Sequence, residues 1–262
     1  MSTVLEIDQL RKQVPKFKLN IAVMRVEQGE FAVLLSGPKA GKGTLFKLLL
    51  DMLFPDFGTI TLFGLDSHRD SEAIKQQLGL VARRPGLYYG ASLKRLKHMV
   101  RPFYREWDEQ AYRDYLRLFE LDESWVYGRV DNAAKKQFVL ALALAHRPQL
   151  LLLDEPFLHV PPQARERMAQ SLWQERRERG MSLLLATTEP EEAARLADSL
   201  HILHGGSLLM SVPIEQLPEY ASDLDWQGRE KRSRDEALAR RIAQTEALFA
   251  HCIDAQAGED AR

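Results

Sequence analysis

The chain has one cysteine, no long apolar run and almost no net charge. Cys252 alone among 262 residues excludes an internal disulfide framework and Cys-based zinc sites, and it fits a reducing cytosol. The longest clean apolar run, FVLALALA at 138–145, is shorter than the roughly 18 to 20 residues that cross a bilayer. The start, MSTVLEIDQLRKQ, lacks the apolar core of a signal peptide. A net charge of −1 gives no global attraction to nucleic acid. We therefore expect a cytoplasmic protein without a nucleic-acid partner, whose membrane association is peripheral.

Core-forming residues are plentiful, and their order along the chain predicts an α/β fold. Apolar residues make up 45% of the chain and charged residues 28%. A helix is predicted from Thr44 to about Phe54, an almost wholly helical stretch from Leu87 to Ala145, and a charged helix over QARERMAQSLWQERRERG. Leu-rich strands separated by helices are typical of a parallel sheet covered on both faces. Strands are predicted at 31–36, within 54–64 after a turn, and at 78–83, 150–156 and 181–188.

The pattern predicts four segments. A core begins at 1–86, is interrupted by a helical subdomain at 87–145, and continues at 146–220. The last segment, 221–262, is a charged helical tail. Two interpretations of the tail stay open, namely a helix packed on its own domain and a helix that binds a partner. Its apolar stripe is Leu238, Ile242, Thr245, Leu248, Phe249 and Cys252.

The stretch LLSGPKAGKGTL stands between a strand candidate and a helix candidate, where a phosphate-binding loop belongs. Against the consensus G-x-x-x-x-G-K-[ST], the first position is Ser36 and the last is Gly43, which lacks the hydroxyl that binds Mg²⁺. Three interpretations of this segment stay open, namely a nucleotide site, an altered nucleotide site and an ordinary turn. The candidate nucleotide-binding residues are Ser36, Gly37, Pro38, Lys39, Ala40, Gly41, Lys42, Gly43 and Thr44.

LLLLDEP is a continuous apolar strand candidate that ends in two acids. Next to a phosphate loop, Asp154 would hold Mg²⁺ indirectly and Glu155 would orient or deprotonate the attacking water. Without such a loop, the two acids would serve as a helix-capping pair. Thr44, beside Gly43, is a second candidate for the metal.

Over roughly residues 3–215 the chain resembles the ATP-binding subunits of ABC transporters. The order of the phosphate loop, the helical insertion, ALALAHRPQLLLLDEP and LLLATTEPEEAARLADSLHIL carries the resemblance. FYREWDE is similar to the FY-x-x-WD segment of the exporter-type branch. The resemblance implies a P-loop NTPase-like, mostly parallel sheet with N-terminal antiparallel strands and an inserted α-helical subdomain. It also implies ATP and Mg²⁺ as cofactors, and a membrane permease and a second ATP-binding subunit as partners in a homodimer or heterodimer.

Position by position, the resemblance implies that most of the catalytic motifs are altered. Lys39 replaces a glycine, and Arg83 and Thr188 replace the Q-loop glutamine and the switch histidine. Pro161 stands at the D-loop aspartate, and only Phe17 offers itself near Gln13 as an aromatic partner for adenine. Lys42, Asp154 and Glu155 match the family. The signature position is Asp131, Asn132, Ala133, Ala134 and Lys135.

Three functions follow from this pattern. The first is a degenerate subunit, regulatory or structural beside a permease, with weak or absent hydrolysis. The second is an active export ATPase with Thr44 on the metal and Glu155 as base, and the third is a scaffold that kept only the fold. The resemblance implies that the permease docks on Leu87–Phe103. The histidines at 146, 159, 201 and 204 are expected to be surface or cap residues, and Phe103, Tyr104 and Trp107 to pack the helical insertion.

Overall fold

The computed structural model describes residues 2–15, 17–216 and 234–260, with the side chains of 240–254 in the last segment. The chain divides into two compact units. The first contains 1–69 and 184–262, and the second contains 70–183. These boundaries differ from those predicted for the core and the helical subdomain, and that predicted division stays a prediction. Residues 217–233, which are the end of the predicted core and the first part of the predicted tail, lie outside the described residues.

The described residues contain all five strands that the apolar pattern predicts, and five further strands. The strands are β1 (Thr3–Val14), β2 (Phe17–Glu27), β3 (Phe31–Ser36), β4 (Phe57–Leu62), β5 (Leu65–Asp66), β6 (Leu78–Val81), β7 (Leu150–Asp154), β8 (Ser182–Thr187), β9 (Ser199–His204) and β10 (Ser207–Pro213). The helices are α1 (Lys42–Leu49), α2 (Ser71–Gln77), α3 (Leu93–Val100), α4 (Glu109–Leu118), α5 (Asn132–Ala145), α6 (Pro162–Arg179), α7 (Pro190–Leu196) and α8 (Arg234–Asp260). Single 3-10 turns lie at 101–103, 127–129 and 214–216.

The first unit is built on a mixed sheet with the strand order β5-β4-β1-β2-β10-β9-β3. β1 pairs with β2 and β4 antiparallel, whereas β3 and β9 are parallel. Every residue of β3 is buried, because a strand inside a covered parallel sheet has no solvent face. The predicted phosphate loop therefore begins at the buried end of β3.

The helix after that loop is shorter than predicted and starts earlier. It begins at Lys42 and ends at Leu49, whereas Thr44 to about Phe54 was expected. The exposed side chains of Met52 and Phe54 explain the difference, since they belong to a turn and not to a buried helix face.

The C-terminal helix α8 packs on the first unit, which supports the interpretation of the tail as part of its own domain. Thr245, Leu248 and Cys252 are buried, while Glu246 on the opposite side is exposed. The Arg241 guanidinium donates a hydrogen bond to the Ala194 carbonyl of α7 at 3.3 Å. This stripe at i, i+3 and i+7 is the apolar face that the spacing predicts.

The second unit combines the parallel pair β6–β7 with most of the helices. Leu78 lies opposite Leu150 in this pair, and α5 is buried along nearly its whole length. The stretch from Leu87 to Ala145 is less helical than predicted, because α3, α4 and α5 are separated by loops and 3-10 turns. In the described part of the chain, no helix has the length and apolar character to cross a bilayer.

Candidate nucleotide-binding site

The predicted phosphate loop connects β3 to α1 in the first unit. Gly41 is the N-cap of α1, with φ 115°, and its carbonyl accepts hydrogen bonds from the N–H groups of Thr44 and Leu45 at 3.0 Å each. Lys42 turns its ammonium back toward the start of the loop, with Nζ 3.4 Å from the Ser36 carbonyl oxygen. The interpretation as an ordinary turn is therefore disfavoured, because the loop carries the lysine and the helix start that bind anions.

Lys39 stands at the apex of the loop in a conformation that suits glycine. Its φ is 62°, in the left-handed region, where a side chain costs roughly 1 kcal/mol or more. The side chain is exposed. The loop therefore keeps its tight curl although the glycine expected at this position is absent, and it gains a positive charge.

The Phe17 ring packs against the back of the loop. A Cβ atom added at Gly41 would lie 2.6 Å from the Phe17 Cζ atom, so only glycine fits there. The Gln13 amide donates to the carbonyls of Val14 and Phe17 at 2.9 and 3.3 Å. The structure thus brings the candidate adenine partner Phe17 to the phosphate loop, where its ring contacts glycine backbone.

Position 43, where the motif has a metal-binding hydroxyl, is a glycine. A Cβ atom built on Gly43 meets no other atom within 4 Å, and its φ lies outside the left-handed region. A serine or threonine would therefore fit at position 43, but the residue there is glycine. Thr44, the neighbouring hydroxyl, is half-buried on the first turn of α1.

The switch position follows β8. Thr187, one residue earlier, is buried; its hydroxyl donates to the Glu192 carboxylate at 2.6 Å and accepts from the Glu189 N–H at 3.1 Å. Thr188 itself is half-buried and offers a hydroxyl where an imidazole was expected. The Thr187–Glu192 pair therefore connects the end of β8 to α7.

In the second unit, β7 ends at Asp154 and the chain turns sharply at Glu155. Asp154 is half-buried, whereas Glu155 is only 3% exposed and has φ 51°, an uncommon conformation for a side-chain-bearing residue. The buried Lys136 ammonium on α5 donates to the Glu155 carbonyl at 2.6 Å and to the Leu158 carbonyl at 2.9 Å. Lys136 was missed from the sequence, because its burial depends on contacts 19 and 22 positions away.

The signature position lies at the start of α5. Asp131 is the N-cap, and its carboxylate accepts a hydrogen bond from the Ala134 N–H at 2.7 Å. The Asn132 amide donates to the carbonyls of Leu158 and His159, 3.3 Å each. A helix start binds anions through its N–H groups and dipole. Here the protein's own carboxylate takes that place, and Ala133, which is buried, adds no polar group.

The family model for ABC transporters matches residues 19–158, more than half of the chain. The chain belongs to the ABC transporter ATP-binding family. The Nod factor export ATP-binding protein I of Rhizobium sp. (strain N33) is 30% identical over 224 residues, which cover 78% of this chain and 69% of that protein. The ABC transporter ATP-binding protein YtrB of Bacillus subtilis (strain 168) is 27% identical over 217 residues, covering 82% and 74%.

Solved structures agree with this assignment. The ATP-binding subunit of an ABC transporter superposes with a TM-score of 0.78 at 24% identity, covering 91% of this chain and 99% of that one. A nucleotide-free ATP-binding cassette superposes with a TM-score of 0.71 at 17% identity, covering 85% and 96%. Both confirm the predicted P-loop NTPase-like fold.

The remaining ABC motif positions are exposed or structural. Arg83, at the Q-loop position, is exposed two residues after β6. Pro161, at the D-loop position, is the N-cap of α6. Lys135, the last signature residue, is half-buried, with its ammonium 5.5 Å from the centre of the Tyr89 ring. Neither Arg83 nor Pro161 offers the amide or carboxylate that the resemblance implies at the predicted Q-loop and D-loop positions.

The predicted docking segment is rich in exposed aromatic and apolar side chains. Tyr88, Tyr89 and Met99 are all more than half exposed. Phe103 is 74% exposed, so the expectation that it packs the helical insertion is wrong. A cleft of about 390 Å³ opens beside it. The cleft is lined by His98, Arg101, Pro102, Tyr104, Arg105 and Trp107.

The histidines are partly misassigned from the sequence. His146 is the C-cap of α5, as a cap residue should be, but it is buried and stacks on the Tyr104 ring at 3.8 Å. Burial lowers the pKa of His146 to about 4. His201 is buried within β9 and is not a surface residue, because its ring lies between the hydroxyls of Ser199 and Ser211. Among the described residues, no cluster of three or more metal-binding side chains occurs.

Proposed function

We propose that this chain is the nucleotide-binding subunit of an exporter-type ABC complex that hydrolyses ATP weakly or not at all. It acts at the cytoplasmic face of the membrane beside a permease and a second ATP-binding subunit, and its role there is regulatory or structural. The observation that carries the proposal is a formed phosphate loop with no side chain at Gly43. The loop can hold phosphate, but it lacks a ligand for the metal that assists hydrolysis.

The binding half of the proposal rests on the phosphate loop. Backbone N–H groups at the start of α1 and the Lys42 ammonium are the groups that attract phosphate in P-loop proteins. Lys39 adds a second positive charge at the exposed apex. This arrangement favours a nucleotide-binding subunit over a scaffold that lost its nucleotide.

The groups expected to assist hydrolysis are altered at several positions. Gly43 removes a metal ligand, Thr188 replaces the switch histidine, and Asp131 places a carboxylate at the signature helix start. Losing one transition-state hydrogen bond or ligand costs about 3 kcal/mol, on the order of 100-fold in rate. Because such losses are not additive, the total cost is smaller than their sum, yet it leaves little turnover.

An active export ATPase is the alternative that keeps some support. Thr44 would supply the metal-binding hydroxyl, Asp154 the second-sphere carboxylate and Glu155 the base. Glu155 is almost fully buried beside the Lys136 ammonium, which donates to its backbone carbonyl. The Lys136 ammonium therefore holds the backbone of Glu155 in place, and the Glu155 carboxylate stays a candidate for the catalytic base.

The membrane partner is proposed to dock on Leu87–Phe103. The exposed rings of Tyr88 and Tyr89 and the basic lining of the adjacent cleft support this assignment. An export role is supported by the FYREWDE segment and by the similarity to the Nod factor export ATP-binding protein I. The transported molecule would be selected by the permease.

Steady-state ATP hydrolysis by the purified full-length chain tests the proposal. We expect a rate far below the roughly 1 to 1,000 per second of typical enzymes, and no further loss in Glu155→Gln. The comparison with Glu155→Gln separates intrinsic activity from contaminating ATPases. A rate near 1 per second that Glu155→Gln abolishes would support the active ATPase instead.

A further inference from the structure

The phosphate loop does not fit the magnesium ion that P-loop proteins bind together with nucleotide. The ion needs a hydroxyl on the residue after the loop lysine. That residue is Gly43, and the space around its missing side chain is open. Thr44 is one residue further along α1, and successive residues on a helix point about 100° apart. The loop therefore lacks its own metal ligand at the position where it is needed.

The same loop carries a positive charge that the consensus loop lacks. Lys39 is exposed at the apex, and no hydrogen bond or ion pair involving its ammonium occurs among the described residues. Lys42 lies across the loop, with Nζ near the Ser36 carbonyl. The loop therefore carries two lysines, Lys39 and the first residue of α1, Lys42. An ammonium group compensates the negative charge of phosphate as a metal ion does, but it needs no hydroxyl ligand from the protein.

A buried polar side chain lies at the start of the same loop. The Ser36 hydroxyl is fully buried, at 0% exposure, and has no hydrogen-bond partner in the described structure. A buried hydroxyl without a partner is unfavourable unless a bound group satisfies it. Ser36 is also the residue whose carbonyl lies near the Lys42 ammonium, so the unsatisfied hydroxyl belongs to the same loop.

We infer that this loop binds a nucleoside triphosphate without magnesium, with the Lys39 ammonium supplying the positive charge that the metal supplies in the consensus loop. The inference rests on the proposed nucleotide-binding function and narrows it. Lys39 and Lys42 compensate the phosphate charge, and the N–H groups of α1 hold the oxygen atoms.

Isothermal titration of the full-length chain with ATP, in magnesium and in EDTA, tests the inference. We expect the two dissociation constants to agree within about 3-fold. Lys39→Ala should weaken binding in EDTA by about 10-fold, the value of one charge-assisted hydrogen bond. Lys47→Ala removes the same charge from an exposed site at the end of α1 and should change little. Lys39→Arg should retain the affinity.

A variant that restores the metal-binding hydroxyl tests the inference in the opposite direction. Gly43→Ser fits without a clash and restores the hydroxyl, so its ATP affinity should become at least about 10-fold higher in magnesium than in EDTA. Wild-type binding that magnesium strengthens by about 10-fold or more would overturn the inference and leave the proposed function standing. An unchanged affinity of Lys39→Ala would also overturn it. Absence of ATP binding in both magnesium and EDTA would contradict the proposed function as well as the inference.

Discussion

Replacing Gly206 by alanine should lower the free energy of unfolding by about 4 kcal/mol. A Cβ atom at this position would lie 1.8 Å from the Lys18 carbonyl oxygen, and φ is 89°. The left-handed backbone costs about 1 to 2 kcal/mol, and relief of the overlap about 1 to 3 kcal/mol more. The Gly206 N–H also donates to the Ala40 carbonyl at 3.1 Å, and its carbonyl accepts from the Asn20 N–H at 2.7 Å. The shift should therefore reach the phosphate loop and weaken nucleotide binding.

Gly64→Ala is the matched control for this change. Gly64 has a similar φ of 75°, but a Cβ atom there meets no other atom within 4 Å. It should therefore show only the backbone cost, about 1 to 2 kcal/mol. Urea unfolding followed by circular dichroism measures both variants. Equal losses in the two variants would mean that Gly206 is not wedged against Lys18.

Replacing Lys136 by methionine should lower the free energy of unfolding by about 3 kcal/mol. The change keeps the length of the side chain but leaves the Glu155 and Leu158 carbonyls without the ammonium that they bond at 2.6 and 2.9 Å. The Glu155 carbonyl keeps a hydrogen bond from the Leu158 N–H and the Leu158 carbonyl keeps one from the Asn132 amide, at 3.3 Å each. The loss is therefore that of the charged donor, whose hydrogen bonds contribute about 1.5 to 3 kcal/mol each. The loop after β7 should loosen in consequence, which hydrogen exchange of residues 155–160 would detect.

Lys135→Met is the control on the same helix. Lys135 is half-buried and lies over the Tyr89 ring at 5.5 Å, so its loss should cost about 1 kcal/mol or less. Urea unfolding ranks the two variants. If Lys135→Met were the more damaging change, Lys136 would not be the residue that fixes the Glu155 turn.

Local patterns predicted much of the fold and the approximate place of the site. FAVLLS and LLLLD are strands because a continuous Leu-rich run fits a sheet buried on both faces. The strain at Lys39 was also foreseeable, because the loop motif needs a left-handed residue at that point. The helix after the loop was placed too late, since its apolar residues continue into an exposed turn containing Met52 and Phe54.

Contacts between distant parts of the chain could not be predicted in this way. The buried position of Lys136 depends on carbonyls that come close only in the folded unit. The same holds for Gly206, whose need for glycine comes from the Lys18 carbonyl. Asp131 was recognised as part of the signature position, but its role as the N-cap of α5 depends on where the helix begins.

The central claim is that this ABC subunit holds ATP and does not consume it. Mixing a trace of ATP with excess full-length chain and quantifying ATP and ADP over time tests it most directly. The account predicts that the bound nucleotide stays ATP, at the same level in the wild type and in Glu155→Gln. Rapid, complete conversion to ADP by the wild type, blocked in Glu155→Gln, would contradict it.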